Sequence, residues 1–153
     1  WLPYYYGGLA YIWSSHVTQD GTTIDNQLDK AMKLVEKAAG ISANNDEIIT
    51  LQGYIYMMKV AVDPATRGMQ YSELAMRNLG QAVNMNPENP RALMMLGRMQ
   101  LGMYQFMGMD TSEACGMIQR ANSLFQNLEP STELEPSWGR EIAETFQKEC
   151  GIN

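Results

Sequence analysis

Apolar residues recur along this chain at three- and four-residue steps, the spacing that places them on one face of an α-helix. Between residues 48 and 62 the stripe is Ile48, Leu51, Ile55, Met58 and Val62. Asp63-Pro64 and Arg67-Gly68 interrupt it, because proline cannot continue a helix and glycine favours turns. A second helix is expected from about Tyr71 or Ser72 to Met85, with Ser72 as its N-cap, and Asn86-Pro87 closes the pair. Asn89-Pro90 opens the next helix, where the missing N–H of proline costs little. Near the end, Trp138, Ile142, Phe146 and Cys150 are spaced by fours and predict one more amphipathic helix over about 137–150.

The pattern repeats. Ala75, Leu79 and Ala82 have counterparts in Ala31, Val35 and Ala38, 44 residues earlier, and in Ala114, Ile118 and Ala121, 39 residues later. Upstream of each triplet stands a glycine, at 8, 53 and 97. Glycine inside a helix costs about 1 kcal/mol relative to alanine, so its recurrence predicts that two helices approach closely there. Each unit is therefore a helical hairpin.

The placement of Gly53 and Tyr56 on a first helix, then Ala75, Leu79, Ala82 and Pro87 on a second, resembles the tetratricopeptide (TPR) repeat. Leu93, Leu96 and Gly97 continue the likeness in the third unit, and Tyr4, Gly8 and Tyr11 in the first. The resemblance implies an all-α, right-handed superhelix in one domain: three hairpins over about 1–43, 44–87 and 88–128, and the last helix as a cap. The chain departs from the motif in its opening aromatic, which is Tyr4, Ile49 and Leu93, and in the absence of a closing proline after Ala38 and Ala121. The Gly-to-Ala gaps of 23, 22 and 17 residues exceed the family's, and imply enlarged connections within the hairpins. The family's first helices line a concave groove. By position that groove would show Tyr5, Leu9, Ile12 and Trp13, then Glu47, Thr50, Tyr54, Met57 and Met58, then Arg91, Met94, Arg98 and Leu101. The chain also looks similar to TPR-like proteins exported by some bacteria.

Composition narrows the chemistry. The chain has 153 residues, 45% of them hydrophobic, and no run approaching a membrane span, so one soluble domain without membrane insertion is expected. Its 11 basic residues are scattered against 17 acidic ones, which argues against a nucleic-acid surface. A single His and two Cys leave little for a catalytic or metal cluster, so neither cofactor nor metal is expected. Met95, Met99, Met103 and Met107 run along one helix face over about three turns, or roughly 16–18 Å, which suits packing better than copper binding. His16, near Asp20 and Asp25, reads as a surface or cap residue without a nucleophile beside it. Arg91 and Arg98 share a face and could clamp a carboxylate, although a solvated helix face is the preferred reading.

If the last two helices are antiparallel and Trp138 faces residues 125–127, twelve residues along both brings Cys150 opposite Cys115. Two separate buried thiols are preferred there over a disulfide, because helix rotation could turn either sulfur aside. A bridge would imply an oxidising compartment. The start at Trp1, without an initiator Met, reads as a processed or trimmed product, and a periplasmic or secreted location is favoured over a cytoplasmic one. The leading expectation is a non-enzymatic scaffold that binds a protein or peptide in the groove, of unspecified oligomeric state. The alternative is a helical small-ligand-binding domain or enzyme with its site in the enlarged connections around His16 and Arg67.

Overall fold

The computed structural model describes residues 1–129 and 132–151. The protein is all-helical: among the described residues there are seven α-helices and no strand. They are α1 (Leu2–Ser15), α2 (Gly21–Ile41), α3 (Asp46–Val62), α4 (Pro64–Met85), α5 (Pro90–Met107), α6 (Ser112–Gln126) and α7 (Arg140–Glu149). No helix of the described residues is long and apolar enough to cross a membrane. Consecutive helices pack as hairpins, and α3 lies between α1 and α5.

The repeat seen in the sequence is the packing code. All nine residues of the three triplets, Ala31, Val35 and Ala38, Ala75, Leu79 and Ala82, and Ala114, Ile118 and Ala121, are fully buried. The recurring glycines mark the closest approaches within the hairpins. A Cβ on Gly53 would stand 2.6 Å from Leu79 Cγ, one on Gly8 2.7 Å from Val35 Cγ2, and one on Gly97 2.9 Å from Ile118 Cγ1.

The enlarged connections are absent, and the added residues are helical. α4 begins at Pro64, so a single residue, Asp63, both ends α3 and caps α4. Its carboxylate accepts from Thr66 N at 3.2 Å, and Pro64 fits the first turn, where its ring meets no earlier carbonyl. Asp20 does the same for α2 by accepting from Thr23 N at 2.9 Å. These Asp-x-x-Thr caps, 43 residues apart, start both second helices, and α4 begins earlier than the expected start near Tyr71 or Ser72. α2 and α4 consequently run for 21 and 22 residues. α3 and α5 are capped by Asn45 and Asn89, and α5 stops at Gly108, whose φ of 66° is left-handed.

The last helix also starts later than the spacing predicts. Gly139, at φ 111°, turns the chain before α7, so Trp138 precedes the helix instead of opening it. α7 packs on α6, where Asn122 Nδ2 donates to Ala143 O at 3.0 Å. Seven residues outward from that pair, in opposite directions, stand Cys115 and Cys150. They form a disulfide with Cα atoms 5.7 Å apart, which overturns the preference for separate thiols. Closing a 35-residue separation stabilises the fold by about 3–4 kcal/mol in the chain-entropy model.

The methionine line divides. Met94, Met95 and Met99 are buried and Met103 is partly so, but Met107 and Met109 stand exposed past the core.

Candidate functional site

The face shared by α1, α3 and α5 has two halves, and the chain itself fills one of them. Residues 134–139 return across the N-terminal turns of these helices. Tyr6 donates its hydroxyl to the carbonyls of Leu134 and Glu135, at 3.1 and 3.0 Å. Trp138 then drops inward. Its indole Nε1 donates to the Tyr5 hydroxyl at 2.8 Å, and its ring stacks on Tyr54 with centroids 6.1 Å apart.

Beneath it lies a closed ring of hydrogen bonds. Tyr5 donates to Glu47 Oε2 at 3.0 Å, Arg91 Nε donates to both Glu47 oxygens at 2.9 Å, and Arg91 Nη1 returns to the Trp138 carbonyl at 3.2 Å. Asn89 adds a donor to Glu47 Oε1 at 2.9 Å. The guanidinium also lies 5.9 Å from the centroid of the Phe125 ring. Burial, reinforced by the Glu47 carboxylate, pushes the Tyr5 phenol well above its ordinary value. A buried ion pair keeps its charges only when its hydrogen bonds are completed, and here tyrosine, asparagine and backbone complete them.

This arrangement corrects the reading of several groove positions as exposed. Tyr5, Thr50, Tyr54, Arg91 and Met94 are buried, as are Leu9, Ile12 and Leu101. Thr50 turns its hydroxyl back to Asp46 O at 2.7 Å. Arg91 is 5% exposed and belongs to the ring, so it is no solvated cation. Glu47 supplies the carboxylate that Arg91 clamps. The signal for the pair lay in the repeat itself, since Glu47 and Arg91 are 44 residues apart and therefore occupy equivalent places on neighbouring helices.

A cleft of about 220 Å³ opens beside the ring, between Trp1, Asn45, Asn86, Arg91, Leu128 and Pro136. It is smaller than the roughly 300 Å³ at which ligand pockets begin. Asp46, on its wall, already accepts from Asn86 at 2.9 Å and from Asn89 at 2.7 Å.

The C-terminal half of the same face is open. Trp13 is 47% exposed, Met57 and Met58 are half-buried, and Arg98 is partly exposed with Nε 3.3 Å from Glu149 and its guanidinium over Phe146. Arg98 stands 44 residues after Tyr54, at the equivalent position on the next first helix. His16 ends α1 and turns toward this half, with Nε2 3.2 Å from the Tyr54 hydroxyl. Burial pushes the Tyr54 phenol up to about 12. His16 is therefore not associated with Asp20 and Asp25 as its sequence neighbourhood suggested. Asp20 caps α2, and Asp25 accepts two bonds from Arg67, at 2.7 and 2.8 Å, which hold its carboxyl below the usual range. Arg67 is thus committed to an ion pair between α2 and α4, away from His16.

No family model and no curated protein matches this chain. Among solved structures, the chain is similar to the HusA haemophore from Porphyromonas gingivalis, with a TM-score of 0.84 and 22% identity, over 96% of this chain and 72% of that one. At that identity the likeness is one of fold.

Proposed function

We propose that this protein is a non-enzymatic ligand-binding domain that takes haem, or a closely related flat macrocycle, on the open half of the α1–α3–α5 face. The observation that carries the reading is the pairing of His16 with Tyr54 on that face, in a fold that overlays a haemophore along 96% of the chain.

The residues fit such a ligand. His16 is the sole histidine of the chain, and it is exposed. With Nε2 engaged by Tyr54, Nδ1 is the ring nitrogen left to meet an iron, and a hydrogen bond on the opposite nitrogen is how ligating imidazoles are usually oriented. Met57, Met58 and Trp13 offer apolar and aromatic surface to a flat ring. Arg98, paired with Glu149 at 3.3 Å and lying over Phe146, offers a cation to a carboxylate. A peptide partner, by contrast, would have to use this same remnant, because the chain's own residues 134–139 cover Tyr5, Tyr54 and Arg91. The alternative site around His16 and Arg67 keeps its histidine and loses its arginine.

An extracytoplasmic location accords with both the Cys115–Cys150 bridge and a haemophore-like role. Titration of the purified protein with haemin, followed by the Soret band, tests the reading. Saturable one-site binding that weakens about tenfold or more in His16→Ala supports it, on the scale expected for loss of an iron ligand or its orienting partner. Absence of saturable binding by the wild type refutes it.

A further inference from the structure

We propose that Trp138 is a positioning residue for His16 and acts through Tyr54, so that the returning C-terminal segment sets the geometry of the open half of the face. The inference rests on His16 as the ligand-holding imidazole, and it concerns what keeps that imidazole in place.

The ring of Tyr54 is held from two sides. One face stacks on Trp138 with the planes 19° apart, and the hydroxyl meets His16 Nε2 at 3.2 Å. Among the described residues Tyr54 is the hydrogen-bonding partner of the His16 ring. His16 itself caps the end of α1 and is the first residue of the five-residue link to α2, where the backbone alone fixes an imidazole poorly. Its orientation therefore depends on where the Tyr54 hydroxyl points. That direction is set by two torsions, and the stacked indole blocks the swing of the ring toward the other side.

Trp138 cannot follow such a swing, because it is tied at both ends. Its indole N–H is held by Tyr5 at 2.8 Å and its carbonyl by Arg91 at 3.2 Å, and both partners share Glu47. The next residue, Gly139, leaves no slack either: a Cβ there would stand 2.8 Å from Phe125 Cζ. The rigid ring is thus transmitted through one aromatic stack to a histidine 122 residues earlier in the chain. Supporting shells of this kind determine whether a binding group is held within the narrow range that binding needs.

The test uses the whole protein, with Trp138→Ala, Trp138→Leu and Trp138→Phe. Because the chain has one histidine, long-range proton–nitrogen NMR spectra of the ligand-free protein report its ring nitrogens without ambiguity. Trp138→Ala should move the His16 Nε2 resonance toward that of a solvent-exposed imidazole, while Trp138→Phe, which keeps a stacking plane, should restore it. Trp138→Leu keeps bulk without the plane, serves if the alanine variant does not fold, and should behave as the alanine variant does. Haemin should then bind the alanine or leucine variant about tenfold more weakly, with a displaced Soret band, on the scale of other losses of an orienting partner. Unmoved His16 resonances in the folded alanine or leucine variant overturn the positioning role. Moved resonances in a protein whose wild type takes up no haemin uphold that role and overturn the haem reading, so the two failures are distinct.

Discussion

The indole N–H of Trp138 donates to the hydroxyl of Tyr5 at 2.8 Å, and joins residues 133 apart in sequence. This bond connects the first helix to the segment preceding the last one, and it rests on the buried Glu47–Arg91 pair below it. Glu47→Ala should therefore destabilise the protein by about 3–5 kcal/mol, because it leaves the Arg91 guanidinium buried without its carboxylate. Replacing Glu47 and Arg91 together by apolar residues should recover much of that loss. Urea unfolding of the wild type and the two variants measures the difference.

Reduction should act through α6 and α7. Loss of the Cys115–Cys150 bridge, by reductant or by the double alanine variant, should lower stability by about 3 kcal/mol. The midpoint of thermal unfolding should fall on reduction in the wild type and stay fixed in the double variant. If both thiols of the native, non-reduced protein are freely alkylated, the bridge does not form.

Two helical glycines should respond differently to alanine. Gly53→Ala places a methyl group 2.6 Å from the buried Leu79, and the overpacking, about 1–3 kcal/mol, should cancel or exceed the gain in helix propensity. Gly80→Ala, inside α4, meets nothing within 4 Å and should stabilise by about 0.5–1 kcal/mol. Denaturant midpoints that shift in the same direction for both would refute the close α3–α4 approach.

Alkaline pH should unfold the protein through its buried phenols. Burial raises the Tyr54 phenol to about 12, and burial with the Glu47 carboxylate raises the Tyr5 phenol well above its ordinary value, whereas both ionise near 10 in the unfolded chain. Above about pH 10 the unfolded state binds fewer protons than the native one, so stability falls as pH rises. The Tyr54 contribution is fully present below about pH 10 and is lost as pH rises toward about 12. The phenols of Tyr5, Tyr6 and Tyr54 should ionise late in an alkaline titration, and one late step should disappear in Tyr54→Phe.

Where a signal lay in local spacing, the sequence revealed the fold. The triplets at 31, 75 and 114 are buried as their spacing requires, and Gly53 marks a helix contact. The helix start at Pro64 was missed because an N-cap signal is short and competed with the stronger-looking breakers Asp63-Pro64 and Arg67-Gly68. The site was less legible. Tyr5, Glu47, Tyr54 and Arg91 were placed on one face correctly, yet their burial depends on residues 134–139, whose loop-like composition gives no indication of where they return. The contact between His16 and Tyr54 likewise depends on the turn after α1, which no periodicity encodes.

The ring of Trp138, Tyr5, Glu47 and Arg91 also orders the events of folding. Each hairpin contact joins residues close in sequence and can form early, but the ring requires that a segment near residue 138 meet one near residue 5. Closing so long a loop costs entropy that only pre-packed helices can offset. The ring should therefore assemble late, and indole fluorescence from its neighbourhood should mature after helicity is complete. A chain released before residue 138 should lack the cover that Trp138 gives Tyr54, so the C-terminal segment completes this face from the far end of the sequence.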